Sequence, residues 1–286
     1  MTSTDTPVVP PFWPEAMERG RVADAAFARA YARVPDRHRA LIKTGIAAVY
    51  AACGGPMPAR RRHDEDLGHD LRLVREDTPL DFAVIVCGPR FASPARLAAA
   101  VLPALCARVG EVAAVRLGAA WPEALLVTLE LCGVETACRL GRRGLAGLWA
   151  DLAARGHGAA VLLDGADGPG REPAGNVRFF SAKTAGRALV CDGPEAAWDR
   201  EALALAQPDL TFDAADSLPG GPDRLDKAAF SGYDAVYAAD GRRDAARATA
   251  GLVLGPGRES CWLWPELWPE AFRRLRLTAS VVDGSA

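Results

Sequence analysis

Between residues 81 and 165 the chain reads strand, helix, strand, helix, strand, helix, strand, with almost nothing between the elements. Asp81-Phe-Ala-Val-Ile-Val-Cys-Gly88 is an apolar run ended by glycine. The stretch 93–110 is rich in Ala and Leu; Ser93 is its candidate N-cap, Pro94 its first helical residue and Gly110 its stop. Residues 111–118 are apolar again, 122–133 helical, 134–141 a strand, 145–156 a third helix and 159–165 a fourth strand. Strands this apolar, separated by helices, fit a parallel sheet covered on both faces, with right-handed crossovers. Strands at 82–87, 112–116, 135–139 and 159–163 are therefore expected to neighbour one another in one mostly parallel sheet.

The flanks are read against that block. Residues 1–11 form a loose arm, 14–33 one helix, and Pro35 starts a second helix that stops at Gly54-Gly55. These helices bury their apolar faces only by packing on something else. The stretch 56–78 is the most charged and reads as a solvated loop, with an edge strand over 72–77. Its His63 and His69 sit among four acids, but at no standard zinc spacing. After a turn-rich loop, 164–176, strands are expected at 177–182, 187–192, 210–213, 233–239 and 260–264. Helices are expected at 194–207, 223–230 and 242–254. The fold class is thus α/β, with two doubly wound Rossmann-like domains: a lead-in over 1–80, a first domain over 81–185 and a smaller second over 186–286.

Composition narrows the function classes. Thirty-four basic against thirty-six acidic residues leave a net charge of −2, so no basic excess drives nucleic-acid binding. No run of about 18 uncharged apolar residues marks a membrane span. The polar, proline-rich start lacks the pattern of a signal peptide. The seven cysteines are scattered without C-x-x-C spacing and read as buried thiols, which fits the cytoplasm. A homo-oligomer is compatible with all of this.

Two segments carry a family resemblance. Val101-Leu-Pro-Ala-Leu-Cys-Ala-Arg-Val-Gly-Glu-Val112 and Pro122-Glu-Ala-Leu-Leu-Val-Thr-Leu-Glu-Leu-Cys-Gly-Val134 resemble a helix-to-strand step and the next helix of the histidinol dehydrogenase family, within the aldehyde-dehydrogenase-like superfamily. Leu140-Gly141 continues in register, and Gly175-Asn176 with Ala182-Lys183 resembles the family's glycine-asparagine and alanine-lysine pairs; the similarity spans about residues 85–205. It implies two doubly wound domains, NAD in the cleft between them and a zinc ion that positions an amino alcohol. Asn176 falls on the family's cofactor-contacting asparagine, whereas its cofactor-holding glutamine is Gly144 here. The zinc motif would fall near Leu205-Ala-Gln-Pro-Asp209, where Gln207 has no glutamate-histidine pair after it. All four histidines lie at or before position 157, so the family's catalytic glutamate-histidine pair and histidine-bearing tail have no counterpart.

Alcohol oxidation needs a base of near-neutral pKa and a group that polarises the oxygen. The expectation is a divergent relative that does not run the zinc-dependent reaction, binds no zinc, and either keeps a cleft for a nucleotide or small anion or serves as a binding or scaffold protein. The alternative is an active NAD(P)-dependent oxidoreductase with a different residue set, such as a cysteine nucleophile from Cys191 or Cys261. Open α/β sheets bind ligands outside the carboxyl ends of their strands. Gly88, Gly118, Gly141, Asn176 and Lys183 are therefore the expected cofactor-binding residues, along one rim. The Gly-rich loop 165–175 reads as a phosphate cradle or a plain surface turn, and the Trp262/Trp264/Trp268 cluster as core, interface or ligand wall.

Overall fold

The computed structural model describes residues 12–69, 71–168, 175–191, 198–217, 230–248 and 250–281. The expected arm at 1–11 and nearly all of the expected helix at 223–230 lie outside them. Three sheets organise the chain. The first holds β3 (Phe82–Cys87), β4 (Glu111–Leu117), β5 (Thr136–Leu140), β6 (Gly158–Leu163) and β7 (Val177–Ala182), all parallel, in the order β5-β4-β3-β6-β7. The four expected strands are there and adjacent. Every residue of β3 and β6 is buried, which is why those runs are apolar without alternation.

Two helical layers cover this sheet. α4 (Pro94–Cys106) and α5 (Glu123–Cys132) pack with Ala83, Ile85 and Cys87 of β3, and α2 (Asp24–Arg33) and α3 (Asp36–Ala52) lie over them. α6 (Arg142–Ala153) and α1 (Glu15–Arg19) pack on the opposite face with Phe82, Val84 and Val86. The single helix expected over 14–33 is two. Between them, Arg21 bridges Cys138 on the edge strand β5, with Val22 N donating to Ala137 O and Arg139 N to Gly20 O. This short pairing covers an otherwise open sheet edge. Only glycine fits at its start, because a Cβ at Gly20 would stand 2.4 Å from Arg139 O.

The second parallel sheet runs β11-β10-β8-β9, from β8 (Arg187–Cys191), β9 (Thr211–Ala214), β10 (Ala235–Ala238) and β11 (Val253–Leu254), with α7 (Arg200–Ala206) and α8 (Asp240–Arg247) between strands. The expected helix at 242–254 is cut short at Arg247 and gives way to β11. Residues 260–264 are not a strand. They form an irregular segment that buries Trp262 and Trp264, their rings 5.6 Å apart, while Trp268 stays exposed. One continuous hydrophobic core joins residues of both sheets, from Ile85 and Val161 to Val190 and Tyr237.

The charged stretch is a hairpin, not a solvated loop. β1 (Arg61–Asp66) pairs antiparallel with β2 (Leu71–Pro79), and β2 pairs with a strand that sequence reading missed, β12 (Arg273–Val281). Arg72 lies 2.8 Å from Asp64, and Arg61 hydrogen-bonds Asp77 directly across the strands. Opposite charges in cross-strand positions hold together a ladder that has almost no apolar face on β1. Among the described residues no helix is long and apolar enough to cross a membrane, and no group of three His, Cys, Asp or Glu is placed to hold a metal.

Candidate functional site

A cleft of about 520 Å³ opens at the carboxyl ends of the first sheet. Pro89, Arg90 and Phe91 follow β3, Arg142 opens α6, Asp164 and Gly165 follow β6, Lys183 and Thr184 follow β7, and Asp209 comes from the turn between α7 and β9. The segment 183–186, which carries the chain from the first parallel sheet to the second, forms one wall. On its other side, Trp262, Trp264 and Asp234 line a smaller cavity of about 160 Å³.

The cleft floor is a buried ion network. Arg96, in the first turn of α4, is 1 % exposed. Its guanidinium pairs with Asp164 and with Asp209, and donates to Gln207 Oε1 at 2.9 Å and Thr184 Oγ1 at 2.9 Å. The rings of Phe91 and Trp262 lie 5.1 and 6.0 Å from it. Asp164 in turn accepts from the Thr184 backbone N–H at 2.7 Å, and Asp209 from that of Ala92 at 3.1 Å. Ser93 caps α4 by accepting from Arg96 N at 3.0 Å. A second buried arginine, Arg116 on β4, donates to Phe91 O and Pro89 O at 2.7 and 2.8 Å and so fixes the loop between β3 and α4. Nothing in the local sequence marks these two arginines. Their partners lie 68, 88, 111 and 113 residues away for Arg96, and 25 and 27 away for Arg116.

The rim is cationic. Arg90, Arg142 and Lys183 are exposed on it, and among the described residues neither Arg90 nor Arg142 has an ion-pair or hydrogen-bond partner. Lys183 lies 3.5 Å from the exposed Asp167, a contact of small energetic weight.

Of the expected cofactor-binding residues, Lys183 alone lines this cleft. Gly88 precedes Pro89 but packs inward: a Cβ there would stand 1.9 Å from Asp164 O, so the glycine serves the contact between two loops. Gly141 is the N-cap of α6, directly before Arg142. Gly118 ends β4 with a φ of +64°, outside the cleft lining. Asn176 lies at the opposite, amino ends of the strands. It leads into β7 at that strand's amino end, where its carbonyl accepts from Gly158 N and its amide reaches Ala153 O. The sequence places it on the same rim as Lys183, but the two residues flank the whole of β7 and so fall at its two ends.

The zinc implied by the family resemblance finds no ligand set at the corresponding position. Gln207 is fully buried with its Oε1 accepting from Arg96 and Ser93, and Asp209 is paired with Arg96. Cys87 and Cys261 are poorly suited as nucleophiles. Burial pushes the Cys87 thiol up to about 12 and that of Cys261 up to about 11, and no cysteine lines the cleft.

Two parallel sheets, joined by one short segment with a crevice at that junction, make up an α/β fold. No family model matches the sequence, and no curated protein matches it at a significant level. Among solved structures, the chain is similar to histidinol dehydrogenase from Elizabethkingia anophelis, with a TM-score of 0.57 and 13% identity over 92% of this chain and 77% of that one. It is also similar to succinate-semialdehyde dehydrogenase from Burkholderia pseudomallei, with a TM-score of 0.47 and 11% identity over 93% of this chain and 89% of that one. Aldehyde dehydrogenase 21 from Physcomitrella patens gives a TM-score of 0.47 and 11% identity over 92% and 90%. The first likeness shows a histidinol dehydrogenase-like fold. At such identities the activity has to be argued from the site.

Proposed function

We propose that this chain is a divergent relative of histidinol dehydrogenase that does not run the zinc-dependent oxidation and uses its cleft to bind a small anionic ligand. The observation that carries this reading is the rim of Arg90, Arg142 and Lys183 around a cleft at the carboxyl ends of a parallel sheet. Arg90 and Arg142, left without carboxylate partners among the described residues, and Lys183, held only by its weak contact with the exposed Asp167, favour an anion beside this concave surface, and α6 adds the partial positive charge of its amino end at Arg142. The position of the family's metal motif supports the same reading, since its oxygen donors are already used by Arg96 and Ser93. The alternative, an NAD(P)-dependent oxidoreductase built on a cysteine, finds its two candidate thiols buried, Cys191 at 1% and Cys261 at 4% exposure.

Calorimetric titration with inorganic phosphate, NAD⁺ and NADP⁺ tests the proposal. At least one of these anions binds the wild type, and Arg142→Ala and Lys183→Ala each weaken it about tenfold, as expected for loss of one charge-assisted hydrogen bond. Failure of every anion to bind, or unchanged affinity in both variants, overturns the reading.

A further inference from the structure

Counted from its own first strand, the five-stranded sheet has the order 3-2-1-4-5, so its switch point lies between β3 and β6. In sheets of this order, a ligand's diphosphate takes its place at the amino end of the helix that follows the first strand. That helix is α4, and its amino end is filled by the chain itself. The Ala92 N–H donates to Asp209 Oδ2 at 3.1 Å, while Asp209 Oδ1 is paired with the buried Arg96 guanidinium. Ser93 Oγ accepts from a second backbone donor there, Arg96 N. The gap between β3 and β6 is closed as well, by the contact of Gly88 with Asp164 and Gly165.

We infer that Asp209 is a built-in anion: its carboxylate occupies the phosphate seat at the head of α4 and so excludes a dinucleotide from the switch point. The inference rests on the reading of the cleft as an anion site, and it narrows the ligand class. What remains is a compact oxyanion, a carboxylate or a phosphate monoester, held by the outer rim of Arg90, Arg142 and Lys183. The NAD implied by the fold does not fit, because the backbone donor and the guanidinium that would meet its diphosphate are already bonded to Asp209.

Removal of the internal anion tests this directly. Asp209→Ala leaves the head of α4 and Arg96 without one carboxylate, so its melting temperature falls by several degrees. Formate, compared with chloride at equal ionic strength, restores most of that loss in Asp209→Ala and shifts the wild type no further than chloride does. Should Asp209→Ala fail to fold, Asp209→Asn keeps the shape without the charge, and its affinity for inorganic phosphate rises about tenfold over wild type. The inference is overturned if formate rescues no more than chloride, if Asp209→Asn binds phosphate no better than wild type, or if wild type binds NAD⁺ as tightly as phosphate. The two readings separate cleanly. Formate rescue in a protein whose wild type binds no anion removes the cleft reading and keeps the role of Asp209. Phosphate binding that depends on Arg142, without formate rescue, does the reverse.

Discussion

At the scale of single residues, two buried arginines hold the regions that sequence reading understood least. Arg96 faces two carboxylates, so replacing it with methionine leaves Asp164 and Asp209 without their counter-charge. Arg96→Met is expected to lose about 3–5 kcal/mol in urea denaturation, the range for one partner removed from a buried pair. A loss under about 1 kcal/mol would mean that the network contributes no more than a surface pair. Arg273 is 3 % exposed and donates to Asp77 Oδ1 at 2.7 Å, to Asp77 O and to Ala107 O. Partial burial pushes the Asp77 carboxyl up, but the hydrogen bonds from Arg61 and Arg273 outweigh it and hold the group below the usual carboxylate range. A carboxyl depressed in the folded state contributes stability above its unfolded value of about 3.9, and that contribution is lost as pH falls through the folded value. Asp77→Asn should therefore flatten the acid limb of the stability–pH curve below about pH 4. Parallel limbs in the two proteins would remove Asp77 from that role.

At the scale of elements, legibility followed the kind of force that holds each strand. β3 and β6 are buried on both faces, so their apolar runs announce them, and a glycine within two residues, Gly88 and Gly165, marks where each ends. β1 is held by cross-strand charge pairs, and a run such as Arg61-Arg-His-Asp-Glu-Asp66 looks like solvated loop until its partner strand is known. β12 carries a signal of its own, since Leu275, Leu277, Ala279 and Val281 alternate with polar residues, but no element is expected over this stretch from the sequence reading above. Those four residues share one face with Leu71 and Leu73 of β2, and Leu71, Leu275, Leu277 and Val281 are exposed. β12 is also an edge strand with backbone groups open to pairing. Leu275→Lys with Leu277→Lys is expected to lower self-association in light scattering while leaving the circular dichroism spectrum unchanged. Equal scattering from variant and wild type would show that this stripe makes no intermolecular contact.

At the scale of the whole molecule, two sheets share one core, and the ion network crosses between them: Arg96 and Asp164 belong to the first sheet's elements, Gln207 and Asp209 to the second's. Unfolding is therefore expected to be a single transition, with tryptophan fluorescence and far-ultraviolet dichroism superimposing along a urea curve. Separate midpoints would show that each sheet holds its own core. That four strands share one parallel sheet could be read from alternation, whereas their order in it and the pairing of Arg96 with Asp209 could not, because no local pattern links positions 113 residues apart. The closure at the head of α4 also shapes which sequences lie within reach. Opening that seat requires changes at Asp209, at Arg96 and at the close approach of Gly88 to Asp164. Any one alone strands a charge or forces a clash in a molecule whose total stability is of the order of 5–15 kcal/mol. In a mutational landscape the closed seat at the head of α4 is a basin with steep walls, and neutral drift, one substitution at a time, has no downhill path from it to a dinucleotide site.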